Sequence, residues 1–286
     1  MADGAAPVTL TGVVGPADYF RFEERDELDW DVWSDVLRGR IAGAVFRGVL
    51  TREVCESVRR NFWNSPLLKG SAEGASLNGN VCGALLVAHS SMSAYLDEVE
   101  RNRPHIDELF AGPGRAVPAL VDDYARHLAQ QGVQLRVAEH QGRQAGVFKL
   151  RSRESEGGAY ALAPHTDASA FRTMPHLSGF EIQRAVRYYS VIACLENDAG
   201  GELVIWNITP DQESIRALRS GLDPRYPEEA LADFARLTVP VRTGDFYLFD
   251  VGNIHAVGQR HAEKAVRCSV QWNMGVLDDT TILRWA

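Results

Sequence analysis

Ala163-Pro164-His165-Thr166-Asp167-Ala168-Ser169 governs the reading of the whole chain. In an extended segment residues i and i+2 point to the same side, so His165 and Asp167 can converge on one metal ion. One imidazole and one carboxylate leave a metal short of ligands. A third donor stands downstream in residues 244–258, GDFYLFDVGNIHAVG, where His255 ends a strongly β-patterned run. Two histidines and one carboxylate form a facial triad, which leaves three cis positions open on an octahedral iron(II). Two of these suit a bidentate 2-oxo acid and the last suits O2.

A 2-oxo acid also brings a distant carboxylate that must be neutralised. Past His255 comes AVRCSV, with Arg267 and Ser269 again at i and i+2. An arginine fork matches a carboxylate in a bidentate manner, and a hydroxyl on the same strand face donates a further hydrogen bond. Taken singly, each residue has a plain structural role open to it: a chance His-x-Asp, a strand-end histidine, a surface ion pair. Their order and spacing within one β-rich half argue for the combination.

Outward from these residues, the chain divides by texture. VQLRVAEH, AGVFKLRSR, VRYYSVIACL, GELVIWNI, RLTVPVR, DFYLFDVG and AVRCSVQWNMG are short β-rich runs separated by Gly, Asp and Asn. One helix, DQESIRALRSGL, interrupts them. Before Gly132 the pattern is helical. Thr51 is a plausible N-cap for TREVCESVRRNFW, where Val54, Val58 and Phe62 recur at four-residue spacing. Two further helices are expected over 92–111 and 115–131, parted by the breaker AGPG; the second carries Leu120, Tyr124 and Leu128 on one face. The expectation is a single α+β domain over residues 1–286. It comprises a peripheral, partly ordered arm (1–30), a mainly helical flank (31–131) and a double-sheet β-sandwich or barrel (132–286).

Composition excludes several classes. The 286 residues carry a formal net charge of −8, the wrong sign for a nucleic-acid backbone. The N-terminus has no basic region followed by an apolar one, and no run approaches the length of a membrane span, so a cytoplasmic protein without a membrane partner is expected. Cys55, Cys82, Cys194 and Cys268 form no CxxC pair and read as reduced, mostly buried thiols.

With His165-Thr166-Asp167, Gly200-Gly201-Glu202-Leu203, Gly244-Asp245, His255 and Arg267-x-Ser269 in place, residues 145–275 resemble the iron(II)/2-oxoglutarate-dependent oxygenases. The resemblance implies a double-stranded β-helix (jelly-roll) core with flanking helices. It also implies oxidative decarboxylation of 2-oxoglutarate to succinate and CO2, coupled to oxidation of a substrate by O2. His165, Asp167 and His255 would then be the iron ligands, and Arg267 with Ser269 the anchor of the 2-oxoglutarate carboxylate. Within the superfamily the chain is similar to the freestanding small-molecule halogenases of the hapalindole type. The shared features are the long insert between His165 and Gly200, GGELVIW, the helix-containing connection to GDFYLFD, and the ending ILRWA. Asp167 departs from that group, which carries a small residue there so that chloride can take the position. The expected outcome is therefore hydroxylation.

The insert following the triad's first half, FRTMPHLSGFEIQRAVRYY, should lie near the mouth of the site. Phe171 and Met174 are candidate walls of a substrate pocket. Arg172, with Arg184 and Arg187, is a candidate anchor for an anionic group; each has a solvent-facing role as its ordinary alternative. Tyr188 and Ser190 alternate on one strand face and are candidates to touch 2-oxoglutarate. His176 and His261 read as loop residues, and His89, His105, His127 and His140 lack a partner at ligand spacing. The substrate expected is a small molecule, an amino acid or an amino-acid-derived intermediate of specialised metabolism. Desaturation, cyclisation and halogenation by the same cofactors remain open alternatives, as does a non-catalytic metal-binding jelly-roll.

Overall fold

The computed structural model describes residues 9–70, 79–153, 159–197, 199–217, 226–259 and 266–286. His261 and the second half of the helix expected over 211–222 lie outside them. Helix α1, Trp30–Leu37, starts where the Asp29 carboxylate accepts hydrogen bonds from the amides of Asp31 and Val32. Helix α2, Arg52–Asn64, is capped by the Thr51 hydroxyl on the Val54 amide and buries Val54, Val58 and Phe62, as the spacing predicts. Helices α3, Met92–Leu109, and α4, Ala116–Gln130, are separated by a 3-10 turn at Gly112–Arg115, the expected breaker. No described helix is long and apolar enough to cross a membrane.

The main strands along the chain are β1 Phe22–Arg25, β2 Gly43–Phe46, β3 Gln134–Val137, β4 Lys149–Arg153, β5 Tyr160–His165 and β6 Arg187–Glu196. They continue with β7 Leu203–Trp206, β8 Arg236–Val239, β9 Phe246–Asp250, β10 His255–Gly258, β11 Arg267–Asp278 and β12 Thr281–Trp285. The larger sheet runs β1-β2-β9-β6-β11-β12-β3, with β4 paired to the first half of β11. The smaller sheet runs β8-β7-β10-β5. The protein is thus a mixed α/β molecule built on two main sheets.

Strand alternation decides what each face of the larger sheet does. In β11 Cys268, Val270, Trp272 and Met274 point to one side, where they join a core with Trp33, Phe62 and Tyr124 from the helices. Trp33 stacks on Phe246 at 5.1 Å, and Phe246 lies 5.6 Å from Trp272. Each such side chain contributes roughly 1.5–3 kcal/mol on full burial. The alternate residues, Arg267, Ser269, Gln271 and Asn273, share the opposite face, and Arg267, Gln271 and Asn273 line a cavity with residues of the smaller sheet. One face is a helix-covered core and the other is a polar wall.

Residues 9–30, expected as a peripheral arm, are stitched into the fold. Leu10 and Phe20 are buried, Gly12–Val13 pairs with Thr209–Pro210, and β1 runs parallel to β2 at the edge of the larger sheet. Gly15 exchanges two hydrogen bonds with the Asn207 side chain, at 3.0 and 2.9 Å. These partners are almost two hundred residues away in sequence, beyond the reach of local patterning. All four cysteines are buried free thiols.

Candidate metal centre and active-site cavity

Strands β5 and β10 are antiparallel neighbours, and His165 and His255 stand opposite one another in their register. The two imidazole centroids are 4.3 Å apart. Thr166 continues the extended path at φ −136°, ψ 121°, and its hydroxyl donates to the Val251 carbonyl at 2.8 Å. Asp167 is not extended, as the sequence led one to expect, but opens helix α5, Asp167–Thr173. The turn into the helix still delivers the carboxylate. Its two oxygens stand 3.6 Å from Nε2 of His165 and 3.9 Å from Nε2 of His255, and the three ligand-type atoms lie within 4.8 Å of one another.

Both imidazoles are oriented by the backbone. Nδ1 of His165 donates to the Ala163 carbonyl at 2.9 Å, and Nδ1 of His255 donates to the Asn253 carbonyl at 3.0 Å. A carbonyl only accepts, so the proton sits on Nδ1 and Nε2 is left with its lone pair facing the other ligands. Burial pushes the His165 imidazole below its ordinary value, with Asp167 opposing the shift only in part. Burial pushes the Asp167 carboxyl up, but His165, His255, Lys149 and Arg151 outweigh it and hold it below the usual carboxylate range. Two neutral imidazoles and one carboxylate facing one point are a donor set suited to iron(II).

The triad opens onto a cavity of about 130 Å³ lined from both sheets. Arg267 is buried at one end, where Nη1 donates to the Gly201 carbonyl at 2.7 Å and Nη2 to the Tyr247 hydroxyl. Gly200 and Gly201 both adopt positive φ, 75° and 66°, which explains the glycine pair before β7. Ser269 is buried on the same strand face as Arg267 and accepts a hydrogen bond from the Gln271 amide at 3.0 Å. A larger hollow of about 460 Å³ lies between α1, α4 and the end of β11 and contains none of the triad.

The insert contributes less to the site than its sequence suggests. Phe171 lines the cavity. Met174 is buried in the core behind it, and Arg172 turns outward: its guanidinium sits 5.0 Å over the Tyr188 ring and donates to the Val186 carbonyl. Arg184 and Arg187 are exposed, and Arg187 donates to the Arg38 carbonyl. Ser190 lines the cavity, whereas the Tyr188 hydroxyl donates to the Ile182 carbonyl. His176 approaches the Leu86 carbonyl and stands apart from the triad.

The cations at the cavity come from an unexpected element. Lys149, Arg151 and Arg153 of β4 all line it, and the signal was present in the i, i+2, i+4 pattern of Lys-Leu-Arg-Ser-Arg. Burial pushes the Lys149 ammonium down to about 8. Burial likewise disfavours the charge on Arg153, and Arg151 and Arg267 press in the same direction. In register, Arg153 stands beside Arg267, Arg151 beside Ser269 and Lys149 beside Gln271.

Residues 26–271 match the sequence model of the carrier-protein-independent halogenase WelO5. L-isoleucine 3(1)-dioxygenase of Pantoea ananatis (strain AJ13355) is 26% identical over 250 residues, which cover 84% of this chain and 82% of that protein. An N-substituted L-amino acid dioxygenase from Burkholderia ambifaria AMMD superposes with a TM-score of 0.60 over 90% of this chain and 91% of its own, at 16% identity. That last likeness is one of fold.

Proposed function

The chain belongs to the WelO5 family of carrier-protein-independent halogenases and is a 2-oxoglutarate-dependent dioxygenase, and we propose that it hydroxylates its substrate instead of halogenating it. Asp167 carries this reading. The halogenases that the sequence resembles have a small residue at that position, which leaves room for chloride. Here a carboxylate lies 3.6 and 3.9 Å from the two Nε2 atoms and supplies the third ligand itself. No position is left over for a halide once the 2-oxo acid and O2 are accommodated.

Iron(II) and 2-oxoglutarate, when bound, supply the activation of O2 and the oxidising power for an unreactive C–H bond. We assign the metal to His165, Asp167 and His255. The remote carboxylate of 2-oxoglutarate goes to Arg267, which Gly201 and Tyr247 hold in place while other N–H groups of the fork stay available. Ser269 accepts from Gln271 and so keeps its own hydroxyl proton to donate beside Arg267. Phe171 with Phe249 and Ile192 forms an apolar wall that limits water around the reacting carbon.

The substrate in this reading is an amino acid or amino-acid-derived intermediate of specialised metabolism, handled in the cytoplasm. The amino-acid dioxygenase relative and the cationic cavity support it. The two sheets facing one cavity are read as the halves of a jelly-roll in a single oxygenase domain, which the fold likeness supports.

The test is anaerobic titration with iron(II) and then 2-oxoglutarate, followed by visible absorption. A metal-to-ligand charge-transfer band that is indifferent to chloride, and products heavier by one oxygen in chloride buffer, are expected. A chlorinated product would overturn the reading.

A further inference from the structure

Arg267 is held by two acceptors from different parts of the chain. Its Nη1 donates to the carbonyl of Gly201, in the turn before β7, and its Nη2 to the hydroxyl of Tyr247 on β9. A guanidinium meets a carboxylate through a planar fork, so its use depends on both acceptors keeping their spacing. One side chain ties their supports together. Nδ2 of Asn197 donates to the Gly200 carbonyl at 2.9 Å and to the Val241 carbonyl at 2.7 Å. Gly200 precedes the first acceptor, and Val241 lies in the connection that leads into β9, which carries the second. The backbone N–H of Asn197 reinforces the second tie by donating to the Thr243 hydroxyl at 3.0 Å.

Strand register brings Asn197 to this place. It follows β6 directly, and Glu196 before it pairs with Cys268, the residue after Arg267. The antiparallel run therefore sets Asn197 alongside Arg267. Carbonyls only accept, so the amide nitrogen faces the Gly200 and Val241 oxygens and Oδ1 turns the other way. That Oδ1 is buried and has no hydrogen-bond partner among the described residues, a cost to the fold that the side chain carries while it serves the two carbonyls. A Cβ on Gly201 would stand 3.1 Å from Oδ1 and 3.5 Å from Cδ of Arg267, so the amide and the arginine stem flank the same glycine. Asn197 is not among the residues that line the cavity, and its influence on the site passes through Arg267.

We propose that Asn197 is a positioning residue for 2-oxoglutarate: by bridging Gly200 and Val241 it fixes the spacing of the two acceptors that aim the Arg267 fork at the remote carboxylate. This rests on the assignment of Arg267 above and deepens it. The bridge serves the remote carboxylate alone, because the keto group and the near carboxylate go to the metal.

The test compares 2-oxoglutarate with 2-oxobutyrate, a 2-oxo acid that has no remote carboxylate. Both are titrated anaerobically into the iron(II)-loaded protein, and the charge-transfer band reports binding without turnover. The wild type should prefer 2-oxoglutarate, and Arg267→Ala should erase the preference. Asn197→Ala should lower it by about tenfold and leave 2-oxobutyrate affinity and iron(II) affinity unchanged. Asn197→Asp keeps the size of the side chain but turns both donations into repulsions, and should act in the same direction. In the Arg267→Ala background, Asn197→Ala should add nothing further, the mark of two residues acting as one unit. The proposal is overturned if the Asn197 variants keep the wild-type preference, if they weaken both 2-oxo acids alike (loss of all binding included), or if the two substitutions prove additive. If the wild type forms the band and Arg267→Ala erases the preference while the Asn197 variants do not lower it, only this inference fails. If the preference survives Arg267→Ala, the assignment of Arg267 fails with it. If no band forms with 2-oxoglutarate, the dioxygenase reading fails as well.

Discussion

The backbone carbonyl of Asn253 accepts a hydrogen bond from Nδ1 of His255 at 3.0 Å, and so sets the direction in which that imidazole presents Nε2. Asn253 is itself held from a distance: its side-chain amide donates to the Tyr19 hydroxyl at 2.6 Å, and Tyr19 donates to Asp250 at 3.2 Å. The N-terminal segment therefore buttresses a candidate metal ligand. Tyr19→Phe should weaken iron(II) binding by about tenfold, the lower end of what loss of an outer hydrogen-bonding partner costs a metal site. Competition with a chromophoric chelator measures it. Unchanged affinity would show that Asn253 holds His255 without help from Tyr19.

Removing the Asp167 carboxylate separates the two chemistries. Asp167→Ala should lose hydroxylation while keeping the fold, because the close partners of the carboxylate are the two candidate ligands His165 and His255, each of which keeps its backbone hydrogen bond. Asp167→Gly should make the charge-transfer band sensitive to chloride. Full hydroxylation by Asp167→Ala would take Asp167 out of the ligand set.

Arg267→Ala should act on 2-oxoglutarate and on stability together. The variant leaves the Gly201 carbonyl and the Tyr247 hydroxyl buried without their donor, at a cost of about 1–3 kcal/mol, readable in urea unfolding. Affinity for 2-oxoglutarate should fall by much more than affinity for iron(II), since the guanidinium touches neither histidine. An equal 2-oxoglutarate Kd would remove Arg267 from that role.

Asp250 gives the stability a pH dependence of defined sign. Burial raises its carboxyl above the ordinary value, and hydrogen bonds from the Gly252 amide and the Tyr19 hydroxyl offset this only in part. The native state then keeps the proton to higher pH than the unfolded chain does. The stability linked to this group is complete below the unfolded value and declines as pH rises through the native one. Asp250→Asn should abolish that decline. Urea midpoints of the two proteins compared across the weakly acidic range test this; parallel curves would mean that the carboxyl ionises as it does in the unfolded state.

The donor types of the triad were legible in the sequence: His165 and Asp167 are two residues apart, and a second histidine follows a strongly alternating run. His255 does not end that run, which stops at Asp250, but opens β10, and the pairing of β10 with β5 is what sets it opposite His165. The short helix that begins at Asp167 was not legible, since Asp-Ala-Ser-Ala-Phe carries no strong stop for the preceding strand. The insert misled for a related reason. Arg172 and Met174 are close to the triad along the chain, yet α5 turns one outward onto Tyr188 and the other into the core.

The sequence by itself determined the mixture of helices and strands, the capped start of α2, the donor chemistry of the site and the Arg267–Ser269 pair. These depend on residue type and on spacings of two to four, which backbone geometry converts directly into shared faces. Only the tertiary structure decided that Lys149, Arg151 and Arg153 look into the cavity, and that Tyr19 reaches the loop of His255. Alternation says which residues of a strand share a face. Whether that face meets a cavity or solvent depends on which strand lies beside it, and that is settled by hydrogen-bond register between segments more than a hundred residues apart.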